Sequence, residues 1–592
     1  MRHLPLALLL AVTLAAPAAA QPPNKAAGIA WQCWGDAVFT QARAEKRPVY
    51  LYLEAVWCHW CQVMQRRTLS DPQVVAFINA NFIPVRVDHD AQPALANRYR
   101  AWGWPAQVWF SPQGEELLKR SGYMPPQEFR ALLVRIKESP EALQGEPAAV
   151  LPVDAGSAML APELRAELLR RHHAAYDDGL GGLRLDKKFL DPDSVEYSML
   201  QARRGDEAAA TRVRRTLDAA LKLIDPVWGG VYQYSDAGDW VHPHYEKIMR
   251  SQASYLRIYS LAWLLFDDPA YRKAAFAVRD YLAEFLISPE GAFYASQNAD
   301  VIPGKKADAY FALDDAGRRA RGMPSIDTHL YASANGRAIE GLAMVYGATG
   351  DSKALALARR AAGWVLAHRS LGDGGFAHGA QADAGPYLAG HLAMARALLE
   401  FHPATGARVW LERARATADF ILAHFWREPA GFNGSVAAAG PLQPVPNIDE
   451  NISATRFFNL LNHYTGDTVY RDAAQHGMRY LAAPAVATER LLESGILLAD
   501  GELAAPPVHV TVVGGHDDPV AQKLYLAALT TPGWYKRVEW WDPGQGALTH
   551  SDVQYPDLGL PAGYYCAQRR CSMPQFSAAD LRTLVARRRD QG

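Results

Sequence analysis

The stretch Val49–Met64, VYLYLEAVWCHWCQVM, places an alternating apolar strand directly before a Cys-x-x-Cys motif at the start of a helix. The free N–H groups and the positive dipole end of a helix favour the ionised form of a cysteine placed there, so the thiolate becomes a usable nucleophile. Two intervening residues let the second thiol reach back to the first. The motif therefore predicts thiol–disulfide exchange, with Cys58 attacking and Cys61 resolving.

The segments after the motif favour the same interpretation. The sequence predicts a helix over 72–79, a strand over 82–88 and a closing helix over 127–137. Pro105 follows a Gly-containing turn and precedes an apolar strand, and an X–Pro bond is the only kind that adopts the cis form at low cost. Because thioredoxin-like folds carry a cis-proline opposite the cysteines at this point, we expect a thioredoxin-like domain over 28–140, with Pro105 in the cis form.

Two positions near the cysteines bear on proton transfer. Thioredoxin buries an acidic residue six positions before the first cysteine, whereas this chain has Tyr52 there and Glu54 in a different phase. His59, between the cysteines, would stabilise a Cys58 thiolate when protonated and make the pair more oxidising. A solvated residue at the helix start is the alternative for His59.

A second cysteine pair, Cys566 and Cys571, allows another interpretation of the first. The two pairs could together hold zinc, or the first pair could be a passive disulfide. The buried strand before Cys58 and the proline turn after it favour the redox interpretation, since zinc ribbons need neither. We expect Cys566 and Cys571 to form a disulfide or a second dithiol, and we predict no metal and no cofactor.

The first residues indicate where the protein acts. A short basic start, an apolar run too short to cross a bilayer and a small-residue cleavage motif predict a signal peptide over 1–20, cut before Gln21. We therefore expect a periplasmic or secreted protein with no membrane attachment after cleavage. The 61 Lys and Arg residues balance 62 Asp and Glu residues without long runs of either sign, which argues against nucleic-acid partners.

The rest of the chain repeats a helical hairpin. After a Pro- and Ala-rich linker over 141–160, helices end in short turns such as Gly350-Asp351, and the second helix of a pair is usually followed by a Gly-aromatic loop such as Gly374-Gly375-Phe376. Five hairpins are recognisable and a sixth is expected to start near Glu163. This pattern predicts an (α/α)6 toroid over 161–485, with an open solenoid as the alternative, and a small αβ appendage over 486–592.

The chain resembles a family of thioredoxin-domain proteins that includes spermatogenesis-associated protein homologues, in which a thioredoxin-like module precedes a six-hairpin toroid. The resemblance covers nearly all of the chain after the signal peptide. The segments that carry it are Cys58–Met64, Val87-Asp88, Gly103-Trp104-Pro105, Gly229-Gly230, Trp240–Lys247, Glu290–Ala295, Asn298–Asp300 and Cys566-x4-Cys571. The chain departs from the family at Trp57, where Thr or Ser is usual, and at 333–336, which lack a Trp.

The resemblance implies a toroid similar in layout to six-hairpin glycosidases and sugar 2-epimerases, whose active sites lie in a central funnel. Such chemistry needs paired carboxylates or proton-transferring histidines. The candidates on loops at the mouth are His244, Glu246, Asp300 and Glu450, followed by His242, His329, His391 and Asp449. A glutamate in a first helical turn is also expected from the helix dipole alone.

Two classes of function follow from the sequence. The first is an exported thiol–disulfide oxidoreductase whose partner is a disulfide-containing protein or another redox protein, with the toroid recognising that partner or a glycan. The second is a carbohydrate-active enzyme whose thioredoxin-like module is structural. The first is favoured because one motif with a mechanism outweighs a scatter of carboxylates.

Overall fold

The computed structural model describes residues 28–139, 156–380, 385–437, 440–533, 535–556, 558–567 and 570–588. The predicted signal peptide over 1–20 and most of the predicted linker over 141–160 lie outside these residues. Within them, no helix combines the length and the apolar character needed to cross a membrane.

The first domain is an open sheet with helices on both faces. Its helices are α1 (Asp36–Glu45), α2 (His59–Arg67), α3 (Pro72–Asn81), α4 (Pro93–Tyr99) and α5 (Pro126–Glu138), and its strands are β1 (Val49–Glu54), β2 (Ile83–Asp88), β3 (Ala106–Phe110) and β4 (Glu116–Ser121). The strand order is β2-β1-β3-β4, with β1 parallel to β2 and antiparallel to β3. Helix α4 and strand β4 are elements that the sequence analysis did not predict.

Strand β1 belongs to both hydrophobic cores of this domain. Tyr50 and Tyr52 join the core on one face of the sheet, and Leu51 and Leu53 join the core on the other. Successive side chains of a strand point to opposite faces, so an uninterrupted apolar strand must be covered on both sides. This is the thioredoxin-like arrangement that the sequence predicts.

The second part of the chain is a ring of helices. Its helices are α6 (Pro162–Ala174), α7 (Pro192–Arg203), α8 (Glu207–Ala220), α9 (Met249–Phe266), α10 (Pro269–Phe285), α11 (Asp308–Phe311), α12 (Asp315–Arg321), α13 (Ala332–Thr349), α14 (Ser352–His368), α15 (Leu388–Thr405), α16 (Arg408–Phe425), α17 (Ile448–Thr465), α18 (Thr468–Leu481), α19 (Pro484–Ala487) and α20 (Ser494–Ala504). Helices α7, α9, α13, α15, α17 and α20 contact one another in that order and close into an inner circle. The toroid prediction is confirmed.

Short turns with two capping devices join the two helices of a hairpin. Gly350 and Gly466 end α13 and α17 in the left-handed conformation, which glycine adopts without strain. Asp351 and Asp467 follow directly, and their side chains accept N–H groups at the starts of α14 and α18. Helix α16 has no such cap, because Ala407 precedes it.

The sixth helix pair is not a hairpin. Helix α6, at the start of the ring, packs against α20, which also contacts α7 and α17. The expected sixth hairpin near Glu163 is therefore corrected to a pair assembled from the two ends of the ring. The predicted toroid ended at 485, which placed α20 in the predicted appendage. In the structure α20 belongs to the ring.

Paired short strands lie among the loops at one end of the ring, which we call the mouth. They are β5 (Tyr234–Ser235), β6 (Pro243–His244), β7 (Lys247–Ile248), β8 (Ser296–Gln297) and β9 (Ile326–Asp327). Gly229 turns the loop before them at φ +69°, and a Cβ atom there would lie 2.3 Å from the Ala277 carbonyl oxygen. Only glycine permits this approach.

A small αβ unit follows the ring and packs on it, as predicted. It contains β10 (Val508–Val513), α21 (Pro519–Leu529), β11 (Lys536–Trp541), β12 (Ala562–Ala567), β13 (Arg570–Cys571) and α22 (Ala578–Arg588). Its strand order, β11-β10-β12-β13, and its strand directions repeat those of the first sheet. Tyr525 of α21 donates to the Pro403 carbonyl of α15, which ties the unit to the ring.

The thioredoxin-like domain covers part of the mouth. Asn97 of α4 donates to Glu450 at the start of α17 (2.6 Å), and the Tyr387 hydroxyl donates to Gln92 (2.7 Å). The two parts of the molecule therefore share one interface, and both sets of candidate residues lie close to it.

Candidate functional site

The Cys58–Cys61 pair lies at the start of α2. Cys58 is the N-cap residue, and its sulfur accepts the Cys61 N–H at 3.1 Å. The two sulfurs are bonded, with Cα atoms 5.3 Å apart. The peptide bond before Pro105 is cis, as predicted. A cysteine at this position receives both a hydrogen bond and the helix dipole, the two effects that stabilise a thiolate.

Both cysteines of the pair are buried, whereas reactive cysteines usually lie in partly exposed surroundings. Cys58 is 4% exposed and Cys61 is 1% exposed. Both cluster with Trp57 and Trp104 of their own domain and with Ile248 from β7 of the ring. The ring therefore covers the disulfide, a contact between distant segments that local sequence does not reveal.

The two side chains of β1 considered for proton transfer, Tyr52 and Glu54, have hydrogen-bond partners other than the cysteine sulfurs. The Tyr52 hydroxyl donates to the Cys61 carbonyl at 3.2 Å. Glu54 is paired with Arg86 and accepts from Gln65, while burial raises the pKa of Glu54 above its usual range. Neither side chain of β1 takes the place of the buried acid of thioredoxin.

His59 joins the motif to the ring. Its Nδ1–H donates to Asp300 Oδ2 at 2.7 Å, and its backbone N–H donates to Glu246 Oε1 at 3.4 Å. Burial raises the pKa of Glu246, and its Oε2 has no hydrogen-bond partner among the described residues. Two candidates for a sugar site thus contact the redox motif instead, and the alternative of a solvated His59 is wrong because Asp300 and Glu246 enclose it.

An acidic cluster lies beside the same interface. Asp88, at the end of β2, accepts the Val56 N–H of the loop before the cysteines. Burial, together with the negative charges of Asp90 and Asp327, raises the pKa of Asp88 to about 7. The loop before Cys58 is therefore held by a carboxyl group that titrates near neutral pH.

A cavity of about 1280 Å³, which we call the funnel, occupies the mouth of the ring. The first turns of all six inner helices line it, and Trp57, Asn97, Arg100 and Trp104 of the thioredoxin-like domain form part of its wall. The funnel therefore belongs to both domains.

Two adjacent carboxyl groups in the funnel have opposite electrostatic surroundings. Burial, and then the charge of Asp449, raise the pKa of Glu450 to about 8. Asp449 binds Arg490 at 2.8 Å, Arg250 at 3.3 Å and Arg100, and these cations hold its pKa well below the usual range although burial acts in the other direction. At neutral pH Glu450 keeps its proton and Asp449 is an anion, the division of roles that acid–base sites use.

A charged network in the wall of the funnel was not predicted from the sequence. Glu196 binds Arg257 at 2.9 Å and also binds Arg456, and Glu340 joins Arg257 to Arg396. Each member lies on an inner helix, but partners up to 260 positions apart give no local pattern. Acidic and basic residues on otherwise apolar inner helices were the only available indication.

The remaining predicted histidines have structural partners. His244 stacks on Tyr234 with ring centroids 4.3 Å apart and pairs with Asp236 at 2.5 Å. His391 is buried, and its Nε2 accepts the Phe376 N–H. Of the first four toroid candidates, only Glu450 lines the funnel.

The second cysteine pair lies on the C-terminal unit. Cys566 and Cys571 face each other across β12 and β13 and are bonded, with Cα atoms 4.1 Å apart. Across the described part of the chain, no group of three or more His, Cys, Asp or Glu side chains is arranged to hold a metal ion. The two pairs form separate disulfides.

Comparisons with known proteins agree with the thioredoxin-like fold of the first domain. Residues 22–143 match the family Thioredox_DsbH, described as "Protein of unknown function, DUF255". Over 84 residues the chain is 37% identical to thiol:disulfide interchange protein DsbD 1 of Pseudomonas aeruginosa, an alignment that covers 14% of each chain.

A longer alignment reaches into the ring. The chain is 26% identical over 322 residues to human spermatogenesis-associated protein 20, which covers 48% of this chain and 41% of the relative. The chain thus spans less than half the length of the curated relatives it matches. Cellobiose 2-epimerase from Bacillus thermoamylovorans B4167 aligns over 54% of this chain and 86% of its own, with 11% identity and a TM-score of 0.43. The N-terminal domain thus matches a thioredoxin-like family of the DsbH type, and the chain is similar over about half its length to spermatogenesis-associated protein 20.

Proposed function

We propose that the protein is an exported thiol–disulfide oxidoreductase in which Cys58 attacks, Cys61 resolves and the ring recognises a partner. The hydrogen bond from the Cys61 N–H to the Cys58 sulfur at a helix start carries this proposal, because it prepares one sulfur of the pair for ionisation. The match of the first domain to an interchange protein supports it. The predicted signal peptide supports export.

The exchange proceeds in two steps from the reduced pair. The Cys58 thiolate attacks a client disulfide, which forms a mixed disulfide and releases one client sulfur as a thiolate. Cys61 then loses its proton and attacks the Cys58 sulfur, which releases the second client thiolate and leaves the bonded pair of this structure. A dithiol donor must return two electrons and two protons for another cycle, and the reverse sequence oxidises a dithiol client.

The ring restricts which molecules can take part. Because Cys58 and Cys61 are buried against Ile248, a protein disulfide reaches Cys58 only after this contact opens. The contact includes the His59–Asp300 hydrogen bond, so opening removes a polar interaction as well as an apolar one. We propose that recognition of the partner by the ring is coupled to this opening.

A second candidate function is a carbohydrate-active site in the funnel. It is favoured by Glu450, a buried carboxyl group with a pKa of about 8 beside the anionic Asp449. A group that keeps its proton at neutral pH can serve as a general acid. In this alternative the thioredoxin-like domain closes the funnel and its disulfide is structural.

Mixed-disulfide capture tests the redox proposal. Cys61→Ser removes the resolving thiol, so we expect client proteins from an extract of the exported fraction to accumulate on Cys58 and to be released by dithiothreitol. Cys58→Ser should capture nothing, and Cys571→Ser, in the other disulfide, serves as the matched control. Pro105→Thr should prolong the mixed disulfides without removing either thiol. Absence of capture by Cys61→Ser, with no disulfide reductase or oxidase activity in the wild type, would contradict the proposal.

A further inference from the structure

The wall of the funnel carries an excess of positive charge. Of the described residues that line it, eleven are Lys or Arg and eight are Asp or Glu. Three guanidinium groups, those of Arg100, Arg250 and Arg490, contact the carboxylate of Asp449, and Arg490 also pairs with Glu493. Since Glu450 keeps its proton at neutral pH, it offers these cations no second charge.

Arg337 adds a cation without a partner. It lies on the first turns of α13 and lines the funnel, and it makes no ion pair or side-chain hydrogen bond with any described residue. Burial lowers the pKa of Arg337 although the charge of Glu340 acts in the other direction, and the charge of Arg100 is the main reason that the pKa of Arg250 falls to about 9. Enclosed cations that repel one another are costly unless an anion joins them.

Other features of the wall indicate what kind of anion would fit. The first turns of the six inner helices, with their positive dipole ends, converge on the funnel. Glu450 is 7% exposed, its Oε1 accepts from Asn97, and its buried Oε2 has no hydrogen-bond partner among the described residues. Trp104 is half-buried and supplies an aromatic face at the same space, whereas the rings of Tyr234 and Tyr331 are already stacked on His244 and His378. An aromatic face and hydrogen-bonding groups together suit a polyhydroxylated ring.

We infer that the funnel binds an acidic carbohydrate, with Arg337 and Arg250 contacting the carboxylate of the sugar and Glu450 hydrogen-bonding a hydroxyl group. A planar guanidinium matches a carboxylate through two parallel hydrogen bonds, which a neutral sugar cannot supply. The volume of about 1280 Å³ is large enough for more than one sugar unit. The inference rests on the proposal that the ring is a recognition module, but it needs no exchange at Cys58.

Calorimetric titration of the full chain without its signal peptide tests the inference. The probes are digalacturonate, the neutral disaccharide galactobiose and inorganic phosphate. We expect digalacturonate to bind at least about tenfold more tightly than either other probe, and Arg337→Gln to weaken it by about tenfold or more, because a charged hydrogen bond is lost. Arg359→Gln, an exposed change on α14, is the matched control and should bind like the wild type.

Several results would overturn the inference. They are no heat of binding with digalacturonate, equal binding of galactobiose, tighter binding of phosphate, or unchanged affinity in Arg337→Gln. If Arg337→Gln does not fold, Arg337→Lys keeps the charge without the paired geometry and should still bind severalfold more weakly. Capture by Cys61→Ser in the same preparation reports the redox site separately. Capture without digalacturonate binding contradicts this inference alone, and binding without capture contradicts the redox proposal alone.

Discussion

His59 lies between the two cysteines in the sequence and between the two domains in space. Its ring is held by Asp300 and its backbone N–H by Glu246, so two ring carboxyl groups lie at the helix start where the Cys58 thiolate would form. A negative charge there opposes ionisation of a neighbouring thiol. The ring therefore influences the chemistry of the dithiol as well as access to it.

Removing the charge of Glu246 should make Cys58 more acidic. Glu246→Gln keeps an oxygen that can accept the His59 N–H but removes the like charge beside the thiolate, so we expect the pKa of Cys58 in the reduced protein to fall by about half a unit to one unit. The pH dependence of the iodoacetamide alkylation rate measures it. Glu284→Gln, on an exposed surface of α10, is the matched control. An unchanged alkylation profile would show that Glu246 does not act on Cys58.

Glu450 should make stability depend on pH. Its pKa is about 8 in the folded chain and near 4.3 in the unfolded chain, so between these values the folded state holds the extra proton and stability falls as pH rises. Glu450→Gln is always neutral and escapes this loss. We expect equal melting temperatures for variant and wild type near pH 4, and a variant more stable by on the order of 5 kcal/mol at pH 9. A constant difference across this range would refute the assignment.

At the scale of elements, the hairpin turns define the ring. A left-handed glycine followed by a capping aspartate ends one helix and begins the next within two residues, as at Gly466-Asp467. The turn before α16 has the glycine but carries Ala407 instead of the aspartate. This natural difference provides a paired test of the cap.

Removing the cap at Asp467 and adding a cap at Ala407 should change the stability of the ring in opposite directions. Asp467→Ala removes the acceptor for the Val469 N–H and should destabilise by about 1 kcal/mol, whereas Ala407→Asp should add an acceptor at α16 and stabilise by a similar or smaller amount. Thermal unfolding followed by circular dichroism should show shifts of about 1–2 °C. Asp472→Ala, an exposed change within α18, is the control. Shifts of the same sign would show that the cap is not the cause.

The sequence was informative where one segment determines its own structure. The strand before Cys58, the cis bond at Pro105 and the five hairpin turns follow from local patterns, and each was predicted. The pairing of α6 with α20 was missed because it joins the ends of the ring. The network around Glu196 and the contacts of Asp300 with His59 were missed for the same reason, since side chains hundreds of positions apart leave no periodic pattern.

At the scale of the whole molecule, the thioredoxin-like domain closes one side of the funnel while the ring covers the disulfide. The same interface thus contains Ile248 against the cysteines and Asn97 against Glu450. A molecule that opens this interface exposes both sites together. Changes at the interface should therefore affect access to the dithiol without altering its residues.

Loosening the interface should expose the disulfide to large reductants. Ile248→Asp places a charge in the apolar contact with the cysteines, so we expect reduction by a protein dithiol to become at least about tenfold faster, with little change for dithiothreitol. Stopped-flow fluorescence of the neighbouring tryptophans measures both rates. Val241→Asp, at a position 60% exposed in the same mouth region, is the control. Equal acceleration for both reductants would indicate general unfolding instead.

Closure of the ring by α6 and α20 has a consequence for biosynthesis. A ribosome delivers the chain from its amino end, so the inner helices emerge one hairpin at a time, and α7 and α17 each lack their α20 neighbour until residue 504 has been made. Up to that point the nascent chain presents uncovered apolar helix faces, which are ligands for chaperones and sites of aggregation. Fragments that stop at 485 should share this liability, whereas a chain that reaches 504 can bury these faces.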